Sequence, residues 1–193
     1  ESGVQKNLNA IRKGITLEDT RRAVRAAKGV GLTVSTPFIF GLPGETFQEG
    51  LRTIEFAVEL DPDLANFHAL TPFPGTDLFD RRARYGTVSG DFRDFTYQGA
   101  AFVPHTMTRT EIHALRQIAF KRFYARPSFL LKKLLALRTL HDLRAAVRGA
   151  RSLLWLWAGR RAFERRRAAA SAGGPAGQAE VLLDQSRVPP RVE

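Results

Sequence analysis

Twice between residues 33 and 76, a short apolar run ends in a Gly- or Pro-rich turn and meets a helix-start signal at once. Residues 33–41 place Val34, Phe38 and Phe40 on one face and Thr33, Ser35, Pro37 and Ile39 on the other, the alternation of a strand. Pro37 has no N–H to give a ladder, so regular pairing on both sides of that strand is not expected. Thr46 and Glu49 then have the spacing of a capping box, and Phe47, Leu51, Ile54 and Val58 form the stripe of a helix closed by Asp61-Pro62. Residues 64–70 alternate again, with Ala65, Phe67 and Ala69 toward the helices and Asn66 and His68 inward. Strand–helix repetition with short connections implies a parallel sheet, right-handed crossovers and a site at the carboxyl ends of the strands. Those ends are residues 1–3, 41–45 and 71–76, all rich in Gly, Pro or polar side chains.

The flanking sequence is read in the same way. Thr16, with Glu18 and Asp19 behind it, predicts a helix over 16–29, stopped by Gly29 and Gly31. Thr76-Asp77 opens a short helix to about Tyr85. Residues 87–107 read as irregular and aromatic-rich, and Thr108 with Glu111 starts a helix that ends before Arg126-Pro127. Helical spacing continues over 128–138 and from about Leu140 to Arg167. The Ala-, Gly- and Pro-rich tail has too few apolar residues to bury and is predicted disordered. The organisation expected is 1–86 for the strand–helix part, 87–168 for a connecting segment with a basic helical extension, and 169–193 for the tail.

Composition narrows the chemistry. The chain has 193 residues, 44% hydrophobic and 25% charged, the balance of a soluble globular protein. It contains 0 Cys, which excludes disulfides, thiolate-bound zinc and any cluster held by its own cysteines. His105, His113 and His141 lack paired ligand spacing, so no metal site is expected. No signal pattern opens the sequence, and its longest apolar run, 153–158, is far below the roughly 20 residues that span a bilayer. Of the net charge of +11, residues 127–168 hold +9, with 11 Lys and Arg against 2 acidic residues. That concentration fits either a solvated helix face or an acidic partner, a membrane surface or a nucleic acid.

Three motifs carry the functional reading. They are Glu1-Ser2-Gly3 followed by Leu8 and Ile11-Arg12-Lys13-Gly14, then 38–46 with its Gly41-Leu42-Pro43-Gly44-Glu45-Thr46 turn, then Pro72-Phe73-Pro74-Gly75-Thr76. In this order and spacing they resemble the second half of the radical S-adenosylmethionine barrel, most closely the subclass with an N-terminal cobalamin-binding domain. The resemblance implies an α/β fold, a partial (β/α) barrel over about 1–86 followed by a helical C-terminal extension. It implies that backbone around Ile39 and Phe40 meets the adenine of S-adenosylmethionine, with Gly41 and Gly44 letting the chain approach closely. Glu1 and Ser2 then stand where the family binds the ribose or the amino-acid part. The family's usual Gly two residues before the Ile is Pro37 here, so only a backbone role carries over at that strand. Glu45 and Thr46 read equally as a helix entrance or as ligand contacts. His68 reads as a cofactor or substrate contact or as a hydrogen-bonded structural residue.

The resemblance further implies a [4Fe–4S] cluster on a CxxxCxxC loop upstream of Glu1, a cobalamin domain beyond it, and a reductant such as flavodoxin or ferredoxin. The whole protein would generate a 5′-deoxyadenosyl radical, or methylate or rearrange a carbon with cobalamin, acting on a small-molecule or lipid-like substrate. This chain alone is expected to be inactive. In residues 141–167, the run Leu153-Leu154-Trp155-Leu156-Trp157 between Arg residues suggests peripheral contact of a cytoplasmic protein with a membrane. The competing reading is a basic helical module for a membrane surface or RNA, an RNA-modifying radical enzyme included.

Overall fold

Three capping boxes fix where the long helices begin. The hydroxyls of Thr16, Thr46 and Thr108 accept the N–H groups of Asp19, Glu49 and Glu111, whose carboxylates accept the cap N–H in return. The computed structural model describes residues 1–96 and 99–135. The elements run α1 (Gln5–Ala10), α2 (Leu17–Gly29), β1 (Ser35–Phe40), α3 (Phe47–Leu60), β2 (Leu64–Ala69), α4 (Asp77–Asp80) and α5 (Arg82–Tyr85). They continue with β3 (Gly86–Val88), a 3-10 turn at Phe92–Asp94, β4 (Phe102–Pro104), α6 (Arg109–Tyr124) and α7 (Pro127–Leu135).

β1 and β2 pair in parallel, with Ser35 opposite Leu64, Ile39 opposite His68 and Phe40 opposite Ala69. Glu1 flanks the other side of β1: its amino group donates to the Pro37 carbonyl at 2.9 Å, and its carbonyl accepts the Ile39 N–H at 2.8 Å. This is the bonding of a parallel neighbour. The carbonyls of Val34 and Phe40 accept from Leu64 and Leu70, so even-numbered residues of this strand face β2 and odd-numbered ones face Glu1. Pro37 therefore removes no bond from the β1–β2 ladder. Its missing N–H falls on the other side, which is why a Pro is tolerated there.

The helix-facing side of this sheet is the core. Phe38, Phe40, Ala65, Phe67 and Ala69 pack with Ile54, Ala57 and Leu60 of α3 and with Ile112, Leu115, Ala119 and Phe123 of α6. The Phe67 ring lies 5.6 Å from Phe38, 6.1 Å from Phe40, 5.4 Å from Phe120 and 6.1 Å from Phe123. One core thus joins residues on both sides of position 86, within a unit that spans Glu1–Lys133. Side chains of α6 also close the outer edge of β2. The Tyr124 hydroxyl accepts the Ala65 N–H at 3.1 Å and donates to the Ala65 carbonyl at 2.7 Å, while Arg116 Nε donates to the Phe67 carbonyl at 3.1 Å. An edge left open would offer unpaired backbone groups.

The architecture is α/β, as the alternation implies, and the described residues form small sheets rather than a closed barrel. The stretch over 87–107 is less irregular than its sequence suggests. β3 and β4 pair antiparallel there, Gly86 opposite Pro104 and Val88 opposite Phe102. Strands of three residues are too short for alternation to be read. The helix expected to run to Tyr85 is split at Arg81, which ends α4 and starts α5. The basic segment 141–167 and the tail 169–193 lie outside the described residues. No described helix is long and apolar enough to cross a membrane.

Candidate functional site

Among the described residues, nothing covers the face of the β1–β2 sheet away from the helices. Ser35, Pro37 and Asn66 are exposed there, and Ile39 and His68 are half-buried side by side. Asn66 Nδ2 donates to Ser35 Oγ at 3.4 Å, so the polar end of this face is tied across the two strands. Burial, and then the charge of Arg116, hold His68 below the usual histidine range, which favours a neutral imidazole. The Glu1 backbone flanks β1 at this level, its carbonyl accepting the Ile39 N–H. The Glu1 carboxylate pairs with Lys13 at 2.8 Å. Burial pushes that carboxyl up, but the Lys13 bond, the amino terminus and the Lys13 charge outweigh it and hold the group below its ordinary range. The Glu1 backbone, Ile39 and His68 are thereby neighbours near the strand ends.

The other expected residues behave differently. Ser2 is 2% exposed, and its hydroxyl shares a hydrogen bond with Thr53 at 3.2 Å and accepts the Val4 N–H at 3.2 Å. The Phe40 side chain is in the core, and its carbonyl accepts from Leu70 at 2.9 Å. Gly41 has φ +87°, and a Cβ there would sit 3.2 Å from Ile112 Cδ1 and 3.8 Å from Pro104 Cδ. Its hydrogen faces α6 and β4, so a side chain at 41 would strain both backbone and core. Gly44 is the open glycine, with φ +73° and no atom within 4 Å of a Cβ. Pro43 and Gly44 form the centre of a turn closed by the Glu45 N–H donating to the Leu42 carbonyl at 2.9 Å, the type II arrangement.

Beneath that turn lies a polar layer that the sequence does not announce. Glu45 is 0% exposed. Its Oε2 accepts the N–H groups of Gly41 at 2.7 Å and Leu42 at 3.1 Å, and its Oε1 accepts Asn7 Nδ2 at 3.4 Å. Asn7 Nδ2 also reaches Ser2 Oγ at 3.4 Å, and Asn7 Oδ1 is buried with no hydrogen-bond partner among the described residues. Burial above all pushes the Glu45 carboxyl up to about 7, against the pull of the two amides; Glu49 adds repulsion and Lys6 opposes it. Only the spacing of Glu45 three residues after Leu42 hinted at a local bond. Asn7 carried no signal at all.

At the third strand end, Pro72 is buried and Phe73 is exposed, with Thr71 Oγ1 donating to the Thr96 carbonyl at 3.4 Å. Among the described residues, no group of three or more His, Asp or Glu side chains could hold a metal ion.

No family model matches the chain. Among curated proteins it is similar to an uncharacterized methyltransferase of Pyrococcus horikoshii, 37% identical over 133 residues, which covers 68% of this chain and 29% of the relative. It is 30% identical over 130 residues to the anaerobic magnesium-protoporphyrin IX monomethyl ester cyclase of Rubrivivax gelatinosus, covering 67% of this chain and 23% of that protein. A cytidylyl-2-hydroxyethylphosphonate methyltransferase of Streptomyces wedmorensis is 32% identical over 136 residues, covering 65% of this chain and 26% of that enzyme. The chain spans about a quarter of the length of these relatives.

Proposed function

The chain belongs to the radical S-adenosylmethionine superfamily, which includes cobalamin-binding members, and from that membership we propose that its strand ends form the cofactor- and substrate-facing side of a radical enzyme. The observation that carries this reading is the pair Ile39 and His68, side by side on a sheet face that the described residues leave uncovered, with the Glu1 backbone bonded at the edge of β1. An apolar wall at Ile39 beside a neutral imidazole and a carboxylate suits a nucleoside, which needs a flat apolar contact and acceptors for its ribose hydroxyls. The open Gly44 lets the turn approach such a ligand without a side chain in between.

S-adenosylmethionine, when bound, supplies an adenosyl group for hydrogen abstraction or a methyl group for transfer. In this proposal the strand backbone around Ile39 and Phe40 lies against the adenine, Glu1 receives the ribose, and His68 faces the substrate side. The chain's residues do not fit an iron–sulfur cluster, since it has 0 Cys. The cluster and any cobalamin are assigned to other parts of the protein, and the electron to a partner reductant such as flavodoxin or ferredoxin. Methylation or rearrangement of an unreactive carbon is the proposed reaction class, supported by two relatives named as methyltransferases and one as a tetrapyrrole ester cyclase.

Anaerobic reconstitution with iron and sulfide tests this. The chain alone is expected to gain no [4Fe–4S] absorption and to leave S-adenosylmethionine intact. The polypeptide that also carries a CxxxCxxC segment before Glu1 is expected to gain the absorption and release 5′-deoxyadenosine under reduction. A cluster on the chain alone, or no cofactor cleavage by the longer polypeptide once its cluster has formed, contradicts the proposal.

A further inference from the structure

Where α3 ends, α6 and the first turn of α7 meet it at a corner rich in positive charge. One carboxylate, that of Asp61 at the left-handed end of α3, is shared there by three cations: Lys28 at 3.3 Å, Arg126 at 2.8 Å, and Lys132. Arg126 also lines a groove of about 560 Å³ between α3 and α6. Phe47, Leu51 and Ile118 give that groove an apolar lining, and Lys121 and Arg122 stand exposed beside it. Arg122 reaches Glu55 only at 3.9 Å, both side chains being more than half exposed, a contact worth little in water. The Leu130 N–H donates to the Arg126 carbonyl at 3.2 Å, which sets Leu130 one turn along α7 from the groove. Phe129 turns toward Phe123 and Tyr124, with ring centroids 5.7 and 5.1 Å away. The next two residues therefore point outward, and Leu130 and Leu131 are each 55% exposed.

We propose that this corner is a docking surface for an anionic lipid bilayer, with Leu130 and Leu131 entering among the acyl chains and Lys121, Arg122 and Lys132 meeting headgroup phosphates. Two exposed leucines beside a surplus of cations match a partner that is anionic at its surface and apolar just beneath it. A nucleic acid would take the same cations, but it binds single strands through exposed rings on which bases stack. The rings of this corner are engaged with one another: Phe120 stacks on Tyr124 at 5.9 Å, and Phe123 meets Tyr124 edge-on at 4.9 Å. A second copy of the chain carries the same net charge of +11 and is repelled. The sequence goes on in the same sense, with 11 Lys and Arg against 2 acidic residues over 127–168. The surface lies within Glu1–Lys133 and shares no residue with the strand ends assigned to S-adenosylmethionine, so it stands apart from that reading.

Co-sedimentation of the full chain with vesicles tests the dock. Vesicles of phosphatidylcholine mixed with phosphatidylglycerol are expected to bind it at least about tenfold more tightly than pure phosphatidylcholine, with the difference shrinking as salt is raised. Leu130→Ser with Leu131→Ser, and separately Lys121→Gln with Arg122→Gln, are each expected to weaken binding to the mixed vesicles by about tenfold. All four side chains are exposed, and an unchanged thermal midpoint checks that each variant folds. The wild-type arm needs no variant: equal binding to the two kinds of vesicle, or binding to neither, overturns the proposal. Anionic binding that either double variant retains in full overturns it too, since the lipid contact then lies elsewhere on the chain. If Lys121→Gln with Arg122→Gln loses a single-stranded RNA but keeps the vesicles, the corner is a nucleic-acid surface and the proposal falls.

Discussion

Replacing Phe67 with Ala is expected to lower the unfolding free energy of this chain by about 4 kcal/mol, the cost of emptying a large aromatic site in a packed core. Phe67 is 1% exposed, and four other aromatic rings lie within 6.1 Å of it, contributed by β1 and α6. No single neighbour can move in to fill the space, because Phe38 and Phe40 are fixed on a strand and Phe123 on a helix. The loss also uncouples α6 from the sheet, so the β2 edge bonds of Tyr124 and Arg116 should weaken with it. Phe73→Ala is the control: that ring is 53% exposed in the turn after β2 and is expected to cost under about 0.5 kcal/mol. Denaturant unfolding of both variants checks the pair, and a Phe67→Ala loss below about 1 kcal/mol would mean that the core is not organised around this ring.

The second large effect is a pH dependence. Glu45 has an ordinary pKa of 4.5 when unfolded and about 7 when folded, because burial disfavours its charge. Between these values the folded chain holds a proton that the unfolded chain has lost, so stability falls as pH rises. The stabilisation is whole below about 4.5 and gone above about 7, a change of about 3 kcal/mol in all. Carboxylates held low, such as Asp61 and Glu49, act in the opposite sense, but only as pH falls below their ordinary range. Glu45→Gln removes the titration and leaves the others in place. The stability of wild type relative to Glu45→Gln should therefore fall by about 3 kcal/mol from pH 4.5 to 8. A difference that stays constant across that range would show that Glu45 is ionised throughout.

Local signals in the sequence were sufficient for much of the fold. The three capping boxes are satisfied within four residues of chain, and each begins a helix where its spacing says. The faces of β1 and β2 also follow directly from alternation, Phe38, Phe40 and Phe67 inward to the core and Ile39, Asn66 and His68 away from it. What could not be read depends on partners far along the chain. Ser2 reads as a polar strand end until Thr53, 51 residues away, takes its hydroxyl. Gly41 reads as a ligand-facing glycine until Ile112 is seen to fill the space beside it. Tyr124 reads as one more aromatic in a helix, although its hydroxyl closes a strand edge 59 residues upstream. α1, with six residues and no side-chain cap, gives no helix signal strong enough to find.

For the site, Glu1 bonds the backbone at Ile39 and Ile39 stands opposite His68, so these segments are neighbours. The sequence motifs do not by themselves separate residues that face outward from those buried in the layer beneath. Ser2 and Glu45 belong to that buried layer by geometry, and Ile39, Gly44 and His68 to the open side.

The most direct measurement is S-adenosylmethionine binding to the whole enzyme carrying Ile39→Glu, with thermal unfolding of the same variant. Ile39 is half-buried on the uncovered face, and its backbone bond to Glu1 does not need its side chain. A carboxylate in that wall would meet the adenine while leaving the core intact. Affinity is predicted to fall by at least about tenfold, with the unfolding midpoint moved by less than about 4 °C. Unchanged affinity in a folded Ile39→Glu enzyme would contradict the assignment of these strand ends to the cofactor.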